Sequence, residues 1–160
     1  MSERLSLPIL KFDPSFPAQH EAEIRKLLLP LLDIVRELHD VRISFGDVEG
    51  QAAVEPARRY HTAYVKLDES FFTLDLADKR HVLLHEMMHV KVDVFAREAM
   101  HVLETWAPDG AQTYATKRLA DAEEMLVDDL ARIFLLLLPP AVEPSIFPKP
   151  PAPRTSGDRS

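Results

Sequence analysis

The chain contains no cysteine among its 160 residues. Disulfide bonds and thiolate ligands are therefore excluded, and any metal ion has to be held by histidine, aspartate or glutamate. An excess of basic charge is also missing, because 19 Lys and Arg stand against 26 Asp and Glu and the formal net charge is -7. Since phosphate-binding surfaces need clustered basic residues, the composition predicts neither a nucleic-acid partner nor an anionic membrane partner.

The sequence also has no long apolar run. Its first residues are interrupted by charges and by Pro8, which is unlike a secretory signal. The apolar run that ends before Pro139 is far shorter than the roughly 20 residues that cross a bilayer. We therefore expect a cytoplasmic protein. A content of 46% hydrophobic and 28% charged residues is typical of a soluble globular chain, and the length suits one domain.

The distribution of prolines and apolar residues predicts three parts of the chain. Residues 1–17 contain three prolines and are expected to form an extended N-terminal lead-in. Residues 18–138 carry clear helical and strand periodicities and are expected to form the folded domain. Residues 139–160 contain seven of the 13 prolines and are expected to be a disordered tail.

Three helices are predicted within the folded part. Apolar residues three and four positions apart predict a helix over 18–39, with a kink or break at Pro30. A long second helix is expected to be capped by Asp78 and to run to about Thr105. A last helix is expected from about 111 to 138, where a pair of prolines ends it.

Strands are predicted where apolar and polar residues alternate. This alternation occurs at 41–45 and 62–68, and a third strand is expected near 51–54. Together with the helices, these strands predict an α+β fold. We expect a small, mostly antiparallel sheet packed on the long helix and on a closing C-terminal helix.

The segment "HVLLHEMMHV", residues 81–90, carries the most specific chemical pattern of the chain. His85 and His89 are four positions apart on a predicted helix, so both imidazoles can bind one ion. Glu86 lies about 100° round the helix from His85, where it cannot easily bind the same ion but can reach a water molecule on it. With this content of His and Glu, the pattern arises by chance only about 0.02 times per chain.

The pattern His-Glu-x-x-His is typical of zinc hydrolases. Neutral imidazole suits zinc, which lowers the pKa of a bound water to about 7 and polarises a carbonyl group. Glu86 is then the predicted general base, which takes a proton from the attacking water and passes it to the leaving amine.

A catalytic zinc site normally has three protein ligands, so the sequence must supply one more. The position six residues after His89 is Phe95 rather than a third histidine. Asp93 shares a helical face with His89 but would have to crowd past it, and His101 is three turns away on the same helix. None of these positions predicts the third ligand well.

The last predicted helix offers a better arrangement, in "DAEEMLVDD". A glutamate on a separate helix, followed four residues later by an aspartate, makes residues 40–138 similar to small gluzincin-type zinc metallopeptidases. These include the minimal forms called minigluzincins and the ImmA/IrrE-like proteins. The resemblance implies a zincin-like fold, with Glu124 as the third zinc ligand and Asp128 as a carboxylate that orients a ligand histidine.

Glu123 is an alternative third ligand. It lies nearer than Glu124 to the centre of the apolar face of the predicted helix, where a carboxylate without a partner is costly. We prefer Glu124 because only this residue is followed by an aspartate, Asp128, after four positions. The sequence alone leaves the choice between these two glutamates open.

The resemblance also implies a substrate and a way of binding it. A zinc-dependent peptidase of this kind binds a peptide or protein as an added strand, and "HTAYVKLD" at residues 61–68 is the segment that we expect at the sheet edge. A further hypothesis is that Ile146 and Phe147 of the tail fold back over the cleft and keep the enzyme latent.

Two functions from other classes remain as alternatives. The pairs Glu86/His89 and Glu98/His101 have the spacing found in helical di-iron proteins, although both pairs fall on one predicted helix. The other alternative is a regulatory or binding module that retains a metal ion without catalysis. An intact Glu86 argues against that module, because a purely structural site needs no general base.

Overall fold

The computed structural model describes residues 7–57 and 61–138. Within these ranges the fold is α+β, as predicted, and consists of four strands and three long helices. In chain order the elements are β1 (Ile9–Phe12), α1 (Ala18–Leu32), β2 (Asp40–Phe45), β3 (Ala52–Ala57), β4 (Thr62–Leu67), α2 (Leu76–Trp106) and α3 (Asp109–Leu137). Among the described residues, no helix combines the length and the apolarity that crossing a membrane requires.

The four strands form one mixed sheet in the order β1-β2-β4-β3. β1 pairs in parallel with β2, and β2 pairs in parallel with β4, whereas β3 and β4 are antiparallel. The prediction of a mostly antiparallel sheet is therefore wrong. The physical reason is that α1 carries the chain back between β1 and β2, and strands joined by such a crossover run in parallel.

Part of the predicted lead-in belongs to the sheet. Ile9–Phe12 forms the edge strand β1 and pairs with residues 40–43, and Phe16 is buried in the core. β1 alternates between exposed and half-buried side chains, which is a weak strand signal because an edge strand contributes little to the core. The predicted tail, residues 139–160, lies outside the described residues.

The helices cover one face of the sheet. Along β4, Ala63, Val65 and Leu67 are buried, while the alternate residues Tyr64 and Lys66 are exposed. This is the period of two expected when one face meets the core and the other meets water. The largest fully buried side chains come from the helices, β2, β4 and the turn after β4, and include Ile24, Leu28, Leu31, Ile43, Leu67, Phe71, Leu83, Leu84, Met87 and Met88.

α1 ends earlier than its apolar pattern predicts. Pro30 lies inside the helix, which ends two residues later at Leu32. Beyond this point the chain continues as tighter turns, in which the N–H groups of Ile34 and Val35 donate to the carbonyls of Leu31 and Leu32. α1 is joined to α2 by a part-buried ion pair, in which Lys79 Nζ lies 2.7 Å from Glu23 Oε1. This pair links the first turn of α2 to α1.

α2 and α3 are 31 and 29 residues long and pack against each other. The N-cap of α2 is Asp75 rather than the predicted Asp78, since Asp75 Oδ1 accepts a hydrogen bond from the backbone N–H of Asp78 at 2.8 Å. A break at Pro108 separates the two helices, as the sequence predicts. Each helix therefore extends along the other from this break to the core.

Candidate metal centre

α2 brings two histidine side chains to the side of the helix that faces α3. His85 and His89 are half-buried, and their Nε2 atoms lie 3.2 Å apart. Their ring planes are inclined by 72°, with the centroids 4.9 Å apart. The spacing of one helical turn produces this convergence, as the sequence predicts.

α3 brings a carboxylate to the same point. Glu124 Oε2 lies 3.6 Å from His85 Nε2, and Glu124 Oε1 lies 3.5 Å from His89 Nε2. These three residues form a group that can hold a metal ion, since one ligand atom from each lies within 4.8 Å of the others. The Glu124 side chain is 61% exposed, so the group opens to solvent on that side.

The distances fit a small tetrahedral ion. With ligand bonds of about 2.0–2.1 Å, two ligand atoms of a tetrahedral zinc site are about 3.3–3.4 Å apart. The two Nε2 atoms are 3.2 Å apart, close to that value, and the Glu124 carboxylate lies at a similar distance, with Oε2 3.6 Å from His85 Nε2 and Oε1 3.5 Å from His89 Nε2. Two imidazole nitrogens and one carboxylate oxygen are also a ligand set that zinc accepts, and three protein ligands leave a fourth position for water or substrate.

The Nδ1 atoms of both histidines lie close to carboxylate oxygens. His85 Nδ1 lies 3.0 Å from Asp128 Oδ1, and His89 Nδ1 lies 3.5 Å from Glu123 Oε1. Because an ionised carboxylate only accepts, His85 Nδ1 is the donor in the shorter contact. A neutral His85 then presents the lone pair of Nε2 to the cluster, which is the tautomer that binds a metal ion.

Both glutamates therefore contact the histidines, but at different nitrogens. Glu124 lies beside the two Nε2 atoms, and Glu123 lies behind His89, where its side chain is 26% exposed. A ligand role for Glu124 and an orienting role for Glu123 agree with this geometry. The sequence indicated that Glu123 lies near the apolar face, but it could not show which side of His89 the carboxylate would reach.

Glu86 lies beside the cluster in a less polar environment. Burial of its carboxylate raises the pKa of Glu86 to about 7, and the nearby charge of Glu124 acts in the same direction. The charge of His85 and a hydrogen bond from the backbone N–H of Val54 oppose this rise in pKa. The side chain of Glu86 therefore extends from α2 towards strand β3.

A groove of about 330 Å³ separates β3 from α2. Its wall on the helix side includes Glu86 and His89, so the groove runs past the cluster. The full lining consists of Ala52, Ala53, Val54, Pro56, Glu86, His89, Asp93 and Glu123. The groove is bounded on its other side by the only antiparallel strand of the described sheet.

β3, rather than β4, is the sheet edge next to the cluster. The segment at 61–68 forms β4, which pairs with β2 on one side and with β3 on the other. The prediction that this segment is the free edge is therefore wrong. Pro56 within β3 is the sequence signal for the true edge, because proline in a sheet is confined mainly to edge strands.

Other residues considered from the sequence do not join the cluster. Asp93 Oδ1 accepts a hydrogen bond from Arg97 Nε at 2.6 Å, and the side chain of His101 is exposed. Glu98, which the di-iron alternative pairs with His101, is exposed on the same helix.

Comparisons with protein-family models, with curated proteins and with solved structures find no match to this chain.

Proposed function

We propose that this protein is a zinc-dependent metallopeptidase. The observation that carries the proposal is the convergence of His85, His89 and Glu124 at distances that fit a tetrahedral ion, with Glu86 beside them. A surface ion pair would not need ligand atoms from three residues close together and, beside them, a further carboxylate whose pKa is raised by burial. This combination is what hydrolysis assisted by a metal ion requires.

The chemistry depends on a division of roles between α2 and α3. Zinc, when bound by His85, His89 and Glu124, supplies a Lewis acid that activates water and polarises a peptide carbonyl. Glu86 accepts a proton as the water oxygen bonds to the carbonyl carbon. Glu86 then returns that proton to the peptide nitrogen, the C–N bond breaks, and a carboxylic acid and an amine are released.

The raised pKa of Glu86 suits proton transfer near neutral pH. A base with a pKa of about 7 is ionised in a large fraction of molecules and is still a competent acid in the next step. Asp128 and Glu123 hold the two imidazoles through their Nδ1 atoms, which keeps both Nε2 atoms directed at the same point.

The substrate is proposed to bind as a strand along β3. Since the Val54 N–H points to Glu86 rather than to β4, Val54 and the residue two before it, Ala52, direct their backbone groups to the free edge. The Val54 N–H donates to Glu86, and an extended peptide can pair with the remaining groups, the Val54 carbonyl and the Ala52 N–H and carbonyl, and lie in the groove between β3 and α2. Its scissile carbonyl then lies next to Glu86 and His89.

The first experiment measures zinc per chain. The protein is purified without a chelator or a histidine tag, and metals are measured by plasma emission for wild type, Glu124→Ala and Glu123→Ala. We expect about one zinc per chain in wild type, retention in Glu123→Ala, and loss in Glu124→Ala. Absence of zinc in the wild type after incubation with excess zinc would contradict the proposal, and about two irons per chain would favour the di-iron alternative.

The second experiment tests catalysis. Zinc-loaded wild type and Glu86→Gln are incubated with a denatured protein and with a peptide library, and new termini are identified by mass spectrometry. We expect cleavage by the wild type and a loss of about 10²- to 10⁴-fold in Glu86→Gln, with zinc retained. Glu104→Gln, which changes an exposed glutamate of the same helix, is the matched control.

The outcomes distinguish catalysis from metal retention alone. Equal cleavage by Glu86→Gln and wild type would contradict the mechanism. Stoichiometric zinc without any cleavage of the library would instead favour a metal-retaining binding module.

A further inference from the structure

The outer parts of α2 and α3 form a two-helix projection beyond the core. We define it as residues 93–122 and call it the helical arm. The last buried residue of α2 is Val92, and the first buried residue of α3 is Val127. None of the described side chains within the arm is buried. Fourteen residues of helix, 93–106, make the arm about 21 Å long.

One side of the arm is apolar. Phe95, Val102 and Trp106 are 75%, 54% and 80% exposed, and their spacing of seven and four residues puts them on one stripe of α2. The stripe lies about a third of a turn from Ala96 and Met100, which face α3. Three large apolar side chains are therefore directed at solvent along one line.

The same side of α3 carries only small apolar residues at the matching positions. Ala111, Ala115 and Ala122 lie about a third of a turn from Thr116, in the same sense as the stripe on α2. In antiparallel helices, equal rotations from the shared interface point to the same side. The two stripes together form the apolar side of the arm. The opposite side of α2 faces β3, since Arg97 donates to the backbone oxygen of Pro56 at 3.5 Å.

The large and small residues occur at matching heights along the arm. Thr116 Oγ1 lies 3.6 Å from Met100 Sδ, so residue 100 of α2 is level with residue 116 of α3. Counting from this pair, Phe95 is within one residue of the level of Ala122. Val102 is likewise within one residue of the level of Ala115, and Trp106 within one residue of the level of Ala111. Every large side chain on one helix thus has an alanine beside it on the other.

From this pattern we propose that the arm is the dimerisation surface for a second copy of this chain. A two-fold axis that runs parallel to the helices places α2 of one copy against α3 of the other. Rotation about this axis does not shift the helices along their length, so residues that are level within one copy are also level between the two copies. Each large side chain then meets an alanine of the partner subunit, and the four helices form an antiparallel bundle. The pattern is self-complementary, which is what a symmetric interface requires.

The charges at the edges of the apolar side support the same arrangement. Glu98 lies at the outer edge on α2 and Arg118 at the outer edge on α3, and the two residues are level by the same count. Within the described part of the chain, neither residue takes part in an ion pair. Stacking by the two-fold axis brings Glu98 opposite Arg118 of the partner subunit at both edges, so two opposite-charge pairs form.

The mass of the full chain in solution tests the proposal. Sedimentation equilibrium is measured over a wide range of micromolar concentrations, and we expect twice the 18.2 kDa mass of one chain. Glu98→Arg and Arg118→Glu each place like charges opposite each other, and each is expected to raise the dissociation constant of the dimer by about tenfold or more. Glu104→Arg changes an exposed charge on the other side of α2 and is expected to leave the mass unchanged.

Mixing the two variants provides the sharpest test. Each variant chain supplies the charge that the other lacks, so Glu98→Arg and Arg118→Glu are expected to form a dimer together although each associates weakly alone. Circular dichroism checks that both variants are folded. A wild-type monomer at every concentration, or a dimer that neither charge reversal weakens, would overturn the proposal.

Discussion

Asp128 contacts the His85 imidazole on the side opposite to Nε2, the nitrogen that faces the proposed metal site. Its carboxylate accepts from His85 Nδ1 at 3.0 Å and lies 3.5 Å from Arg132, so it fixes the orientation of one imidazole without facing the Nε2 atoms. Asp128→Asn keeps the size of the side chain and removes its charge. We expect zinc affinity to fall by about 10- to 100-fold, the typical effect of losing such a carboxylate.

Competition titration against a zinc-binding dye measures this change in affinity. Asp129→Asn is the matched control, because Asp129 is the next residue and its side chain is exposed. An unchanged affinity in Asp128→Asn would mean that the His85 orientation is set by the helix alone.

At the same scale, the sequence predicted the convergence of the two histidines but not the separate contacts of the two glutamates. His85 and His89 converge because they belong to one helix, and helical spacing alone predicts that. The contacts of Glu123 and Glu124 depend on how far α3 is rotated and shifted along α2. The rotation and shift of α3 cannot be predicted from a single sequence, because they result from packing across the whole α2–α3 interface.

Among the elements, β3 is the strand that lines the groove, and its backbone provides a test of the proposed substrate binding. Val54→Pro removes the backbone N–H that contacts Glu86 and blocks one position of the free edge. The fold should tolerate this change, since that N–H does not pair with β4 and Pro56 already occupies the same strand. We expect zinc binding to be retained and peptide cleavage to fall by at least about tenfold.

Zinc per chain and cleavage rate are measured together in this variant. Val54→Ala is the control, because it shortens the side chain and keeps the N–H. Cleavage by Val54→Pro at the rate of Val54→Ala would exclude substrate pairing at this edge.

The strands also show where the sequence was informative and where it was not. β2 and β4 agree with their predicted ranges, because each has one buried and one exposed face and so alternates clearly. β1 and the end of β3 lie at the sheet edges, where burial is incomplete and the alternation is weak. Strand direction was predicted wrongly, since the crossover through α1 becomes visible only when β1 is recognised as a strand.

The contact between α1 and α2 gives a prediction about stability. Lys79 Nζ lies 2.7 Å from Glu23 Oε1, and the Lys79 side chain is only 10% exposed. Glu23→Ala leaves this cation without its partner in a part-buried position, so we expect the free energy of unfolding to fall by about 1.5–3 kcal/mol. Urea denaturation measures the change.

Glu21→Ala serves as the comparison for the stability measurement. Glu21 lies 3.6 Å from Arg25, and both side chains are well exposed, at 38% and 47%. An exposed pair of this kind contributes about 0–1 kcal/mol. An equal loss of stability in both variants would show that burial of Lys79 adds nothing to its ion pair with Glu23.

In the whole molecule, the two long helices contribute to two separate surfaces, the groove beside β3 and the apolar side of the arm. The side of α2 that faces β3 bounds the groove, and the His85, His89 and Glu124 group that can hold a metal ion lies between α2 and α3. The apolar side of the arm points away from β3. A dimer formed through the arm therefore leaves the groove and the edge of β3 open, so the two proposals can be tested independently.

Zinc is also expected to stabilise the molecule as a whole, because its ligands come from two different helices. Unfolding separates Glu124 on α3 from His85 and His89 on α2, so the ion binds the folded chain more tightly than the unfolded one. At free zinc of about 100 times the dissociation constant, the gain is about 2.7 kcal/mol, which corresponds to a rise in Tm on the order of 10 °C. Scanning calorimetry of the zinc-loaded protein, with and without a chelator, measures this difference. His85→Ala should unfold at the same temperature in both conditions, since it lacks one ligand. A chelator that lowers Tm equally in wild type and His85→Ala would mean that the stabilising ion binds elsewhere on the chain.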